Sequence, residues 1–180
     1  YLHGVLASAS LSKIIPLLAD IGDHLGATPL QFGLLISLMT ILPAGLAALT
    51  GSIIDRVGAR SALTAAALIG VVVNLAYLLA GSLRAFPIIR VFEGLIVMGI
   101  YSAAPALIMA TAGPARRGRA LALWSTYTPV GMSLGLFLSA HFAGTTAWRS
   151  SYLIHLVMFG AVVLAGWWLP RSPVVVHAAQ

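Results

Sequence analysis

The chain has 180 residues, of which 60% are hydrophobic and only 8% charged, with a mean hydropathy of +1.01 and a formal net charge of +6. Soluble domains carry about 25% charged residues, so a water-facing surface cannot be built from so few and the bilayer is the expected solvent. The lack of cysteine excludes disulfides and thiolate metal sites, and the basic residues sit singly or in short groups between apolar runs, which argues against nucleic acid as a partner.

The first residue is Tyr1, and the opening segment lacks the basic start and small-residue cleavage site of a signal peptide. The true N-terminus is therefore expected upstream. A helix needs about 20 apolar residues to cross a hydrocarbon core of roughly 30 Å. Six runs meet that need in chain order: Leu2–Ala19, Pro29–Ile54, Ser61–Leu83, Phe86–Ala112, Ala120–Ala143 and Trp148–Leu169. The connections GDHLGATP, DRVGAR, GSLRAFP, GPARRGR and GTTAW are short and rich in turn residues, so consecutive spans are expected to be antiparallel. The expected fold is an all-α polytopic membrane protein, with residues 1–169 as a six-helix bundle and residues 170–180 as a cytoplasmic linker or tail.

Charge sets the expected topology. With the N-terminus in the cytoplasm, Arg56, Arg60, Arg116, Arg117, Arg119 and Arg171 lie inside, and only Arg84 and Arg149 lie outside. Both termini are then cytoplasmic. The second span contains Leu42-Pro43-Ala44-Gly45 and the fifth Thr128-Pro129-Val130-Gly131. Matching second and fifth helices suggest two three-helix units related as an inverted repeat.

The turn Gly51–Arg60, GSIIDRVGAR, packs Asp55, Arg56 and Arg60 into an otherwise uncharged region. Gly58 suits a tight turn at positive φ, Gly51 a close approach to a neighbouring helix, and Asp55 the exposed N–H groups of the third helix or an arginine. The pattern Gly-x-x-x-Asp-Arg-x-Gly-x-Arg resembles the signature loop of the major facilitator superfamily. In that family the loop latches two halves of a transporter; the carry-over is Gly51, Asp55, Arg56, Gly58 and Arg60, with Ala59 where the family often has a second basic residue. Arg90-Val91-Phe92-Glu93-Gly94 resembles the family's Arg-x-x-(Gln/Glu)-Gly element, whose arginine is implicated in proton coupling or substrate binding. The resemblance implies a half of a twelve-span carrier in the bacterial inner membrane, completed by a missing C-terminal six-helix half. A six-span protein completed by a second copy is the alternative.

Charges within spans are costly and usually face a wet cavity. The candidates are Lys13, Arg90 and Glu93, all placed by depth in the outer half of the bilayer. Arg90 and Glu93 are three apart and can pair, which would leave Lys13 without a partner in this half and favour a small anionic substrate. Lys13 can instead snorkel towards the interface. The first and fifth spans also resemble facilitators of the cyanate-permease-like branch, associated with small anions. Pro129 frees the carbonyl of Ser125, and Tyr127 is the residue there expected to face the cavity; Asn74 is expected to join helices. His155 can carry a proton or make a structural hydrogen bond. Gly131 and Gly135 suit close packing.

No metal-ligand spacing or phosphate-binding glycine loop occurs, so neither metal, cofactor nor enzymatic chemistry is expected, and the energy source is a gradient. One enzymatic rival is an intramembrane serine protease using Ser133 and His155, which requires the two to face each other. Another is a non-transporting membrane protein.

Overall fold

A computed structural model describes residues 1–168. All regular structure among them is helical and forms six candidate spans: Leu2–Leu25, Pro29–Val57, Ala59–Leu79, Ala85–Thr111, Pro114–Ala140 and Ser150–Trp168. Leu169 and the 170–180 segment expected as linker lie outside the described residues.

The ends shifted where polar residues proved helical. The first span continues past Ala19 to Leu25 because the carboxylate of Asp20 turns inward and accepts the backbone N–H of Gly144 at 3.1 Å through both oxygens. Gly26, at φ +73°, then ends it in the left-handed conformation that glycine adopts without a Cβ penalty. The fifth span begins at Pro114 rather than Ala120. Proline at the first helical position needs no N–H partner, so the helix starts there and carries Arg116, Arg117 and Arg119 on its first turns. The second span starts on a capping box in which Gln31 N–H reaches Thr28 Oγ1 (3.5 Å) and Thr28 N–H reaches Gln31 Oε1 (2.8 Å).

Three spans are interrupted, each just before a proline. The first loses α-helical form at 13–17, around Pro16; the second tightens to 3₁₀ geometry at Leu38–Thr40, before Pro43; the fifth breaks at Thr126, before Pro129. Proline lacks an N–H and crowds the carbonyl four residues back. The breaks in the second and fifth spans both lie just before the matching segments Leu42–Gly45 and Thr128–Gly131.

The first span is the axis of the bundle. It packs along the fifth, and against the fourth and sixth. The third span packs on the fourth and sixth, and the second mainly on the fourth. The second and fifth spans are therefore outer walls, with Leu30, Ile41, Leu49, Val130 and Phe137 exposed. Glycine sets the closest approaches. Gly131 lies against Val5 and Ser8 of the first span, and Gly135 against Ala9 and Ser12. Gly94 faces the carbonyl of Met39 and the ring of Pro43, at the break in the second span.

A Cβ at Gly94 would collide with backbone that cannot yield as a side-chain end can. Gly94→Ala is expected to cost about 1–3 kcal/mol by overpacking, whereas Gly160→Ala, which meets nothing within 4 Å, is expected to be neutral or slightly stabilising. Thermal unfolding of the two purified variants in one detergent checks the difference; equal melting temperatures would remove the argument.

Candidate functional site

The helix breaks create the site. At the break in the first span, the carbonyls of Ser10 and Leu11 turn towards the fourth span, where Arg90 meets them: Nη1 donates to Ser10 O (3.0 Å) and Nη2 to Leu11 O (3.1 Å). Arg90 Nε donates to Leu35 O (2.7 Å), one turn before the 3₁₀ segment of the second span. One guanidinium thus binds the main chain of two broken helices. Its planar fork of five donors is suited to this, since a buried carbonyl without a partner is costly.

Nη1 also donates to Glu93 Oε2 at 2.6 Å, the i,i+3 pair anticipated from the sequence. The other carboxylate oxygen, Oε1, is 2.7 Å from Lys13 Nζ. This corrects the expectation that pairing of Arg90 with Glu93 would strand Lys13. Glu93 bridges both cations because it has two oxygens and the first and fourth spans are adjacent. Lys13 does not snorkel either; its side chain is fully buried, as is that of Glu93, and Arg90 is 1% exposed.

The third and sixth spans complete the enclosure. Lys13 Nζ donates to Asn74 Oδ1 (2.6 Å), and Asn74 Nδ2 to Gly70 O (2.7 Å), so Asn74 does join helices. Tyr77 donates its hydroxyl to Glu93 Oε2 (3.0 Å). The Nζ lies 5.3 Å from the centroid of Tyr77 and 5.4 Å from that of Tyr152, whose rings stack at 4.5 Å. These are cation–π distances. The cluster contains two cations and one carboxylate, so it retains a net positive charge, spread over carbonyls, an amide and two aromatic faces.

His155 is fully buried one turn from Tyr152 and pairs Nδ1 with Ser151 O (2.8 Å). Its Nε2 and the hydroxyl of Tyr152 are buried without a hydrogen-bond partner. Ser133 is exposed on the fifth span, and His155 is bonded elsewhere, so the serine–histidine pair required by the protease reading does not form.

Tyr127 lies apart from this cluster. It is half-buried beside Trp124 (4.2 Å) and Tyr101 (4.9 Å), and Tyr101 OH hydrogen-bonds Ser8 Oγ at 2.8 Å. These residues form an uncharged aromatic and hydroxyl wall on the first, fourth and fifth spans. Of the other hydroxyls near Pro129, Ser125 donates to Ala122 O (2.7 Å) and Thr126 to Leu123 O (2.8 Å), and Thr126 Oγ1 also hydrogen-bonds the hydroxyl of Tyr1 (2.9 Å).

The Gly51–Arg60 loop is built differently from its expectation. Gly58 has φ +83°, as a tight turn needs. Asp55, however, does not cap the third span, whose N-cap Gly58 lacks any side-chain cap. The ion pairs among the described residues are Lys13–Glu93 and Arg90–Glu93, so Asp55 pairs with neither Arg56 nor Arg60. Arg60 instead donates to Trp167 O (2.7 Å). Asp55 is exposed, and Gly51 has open space around it. Both face outward from this chain.

Sequence reading missed Tyr77, Tyr152 and Tyr101. The available signal was Asn74 with Tyr77, three apart on one face of an otherwise apolar helix.

Removing the bridge should cost more than removing one end. Glu93→Gln leaves two buried cations without a carboxylate and is expected to destabilise by about 3–5 kcal/mol. Lys13→Gln leaves Glu93 with Arg90 and Tyr77 and is expected to cost less. Melting temperatures in detergent rank the two; the reverse order would contradict the bridging role.

Three comparisons place this arrangement. The Major Facilitator Superfamily profile matches residues 1–179. The chain is 28% identical over 152 residues to the fatty acid resistance protein FarB of Neisseria gonorrhoeae, covering 84% of this chain and 29% of FarB. Among solved structures, that of a D-xylose-proton symporter superposes with a TM-score of 0.76 at 18% identity, over 96% of this chain and 47% of that one. The chain spans less than half the length of either relative.

Proposed function

Because the chain belongs to the major facilitator superfamily, and its fold is that of a secondary transporter half, we propose that it forms the N-terminal part of an alternating-access carrier for a small organic or inorganic anion. The observation that carries the anion is the buried cluster Lys13–Glu93–Arg90, whose two cations outnumber its one carboxylate. In a low-dielectric interior an uncompensated positive charge acts over a long range, because the field is weakly screened. The cluster is enclosed, so it attracts the solute through its field rather than by direct contact. Contact falls to the half-exposed wall of Tyr127 and Tyr101, which offers ring faces and hydroxyls.

The second and fifth spans expose apolar faces that a C-terminal half, or a second copy, would cover. The Gly51–Arg60 loop acts as the latch between the two. Exposed Asp55 is free to bind a partner helix in one state of the cycle and release it in the other. Arg60, tied to the end of the sixth span, fixes the turn from which Asp55 projects. His155, bonded to Ser151 O of its own helix, is the residue of the sixth span we assign to proton coupling. The bundle sits in the bacterial inner membrane with both ends in the cytoplasm, driven by a gradient.

Two measurements in proteoliposomes of the whole carrier test this. Lys13→Gln is expected to abolish anion uptake while expression is retained; normal uptake would remove the anion argument. Asp55→Asn is expected to lower the turnover rate with substrate affinity nearly unchanged, and a defect in affinity alone would contradict the latch.

A further inference from the structure

The first span is two helices in line. The inner one, Leu2–Ser12, packs along the fifth span and against the fourth and sixth; the outer one, Leu18–Leu25, packs comparably on no helix of another span among the described residues. Between them the α-helical ladder is not continued. Leu17 N–H bonds Ile14 O (3.0 Å) and Leu18 N–H bonds Ile15 O, both three residues back, and Pro16 has no N–H to give. A few residues at the junction of two helices, one of them proline, are where a helix bends. Lys13 stands at this junction as the C-cap of the inner helix, and its amine is held by Glu93 and Asn74 of the neighbouring spans.

The outer helix is held by a loop instead. Its buried residues are Asp20 and Ile21. The Asp20 carboxylate accepts the N–H of Gly144, in the connection between the fifth and sixth spans, at 3.1 Å from each oxygen. No cation among the described residues lies within ion-pair distance of it. The connection itself is fixed. Arg149 donates to Ala80 O, just past the third span, at 2.9 Å, and its guanidinium lies 4.5 Å from the ring of buried Trp148. Ser139 and Ser151, on the spans either side of the connection, share a hydrogen bond of 2.6 Å. The ring of His24 adds a tilted contact with Trp148 at 5.9 Å. The outer helix thus has a hinge at its start, a fixed post beside it, and little helix packing of its own.

We propose that the outer helix of the first span is a hinged flap beside the Lys13–Glu93–Arg90 cluster, closed by the bond from Gly144 N–H to Asp20 and opened by bending at Ile14–Pro16. On opening, the Asp20 carboxylate passes from the protein to water, whose hydrogen bonds offset the one that is lost. Lifting Ile21 uncovers the junction at which Lys13 stands, while Lys13 stays with Glu93 and Asn74. The flap rests on the alternating-access reading, since a carrier needs a route to a cluster that is enclosed in this structure.

Maleimide labelling of the whole carrier in detergent, with Ile21→Cys as its one cysteine, tests this without any solute. That thiol is on the buried face of the flap and reacts while the flap is lifted, so its rate follows the open population. Asp20→Ala is expected to speed labelling by about tenfold, the change that follows from losing a hydrogen bond to a charged acceptor. Pro16→Ala, which returns an N–H to the ladder and stiffens the hinge, is expected to slow it. Ala67→Cys, at a fully buried position on the third span, is expected to label slowly whether or not Asp20 is replaced. A rate at Ile21→Cys unchanged by Asp20→Ala would overturn the flap, because the bond would then close nothing. Equal acceleration at both thiols would overturn it too, because Asp20 would then hold the whole bundle together. So would a rate in Pro16→Ala equal to or above that of the parent. Anion uptake by the carrier is read separately, so its failure leaves these rates standing and their failure leaves uptake standing.

Discussion

The guanidinium of Arg90 is the group on which the bundle depends. Broken helices in a bilayer leave carbonyls that water cannot reach, and lipid offers no donor. Arg90 supplies donors to Ser10, Leu11 and Leu35, joining the first, second and fourth spans at their weakest points. A buried arginine needs a counter-charge, which Glu93 provides at 2.6 Å. Glu93 in turn makes it tolerable for Lys13 to be buried. The proline breaks, the arginine and both remaining charges therefore form one connected system. The Arg-x-x-Glu-Gly order has a spatial meaning as well: Arg90 and Gly94 are one turn apart and serve the same break, one by binding its carbonyl and the other by letting the fourth span come close.

The molecule is divided by charge into an interior that is fully used and a rim that is not. The interior charges are all bonded, with one positive charge in excess over the carboxylate of Glu93, and four hydrogen bonds leave Arg90 little freedom. At the turn after the second span, Asp55 and Arg56 are exposed, and neither forms an ion pair among the described residues. An unpaired carboxylate beside a glycine with open space is suited to a contact that is made and released. Such a contact must be weak within the chain for the partner to control it. The same reasoning separates the tyrosines. Tyr77 and Tyr152 are fully buried at the charge cluster, while Tyr101 and Tyr127 are only half-buried and stand apart from it.

Much of the framework was legible because it depends on local chemistry. Span number follows from hydrophobic length, the break in the fifth span from Pro129, the turn from Gly58, and the Arg90–Glu93 pair from a spacing of three; the breaks near Pro16 and Pro43 were not read, and Pro105 sits inside an unbroken helix. The boundaries were less legible because Asp20 and the Arg116–Arg119 group read as loop. They are helical because Asp20 finds a backbone partner 124 residues away and because Pro114 starts a helix ahead of the arginines. The expected lone charge on Lys13 rested on the two cations competing for one carboxylate. Glu93 has two oxygens, and only the packing of the first span against the fourth reveals that both are used.

The sequence by itself determined the solvent, the number of crossings, the break at Pro129 in the fifth span, and the family resemblance of two motifs. The tertiary structure decided which way each helix faces. In water, the apolar stripe of a helix identifies its buried side. In a bilayer, lipid is as apolar as the core, so that stripe carries no such information. Rotation about each helix axis is then set by glycine contacts and by the few polar groups that must find one another, such as Lys13 with Asn74 and Glu93. Those partners stand 61 and 80 positions apart in the chain, beyond the reach of any local pattern.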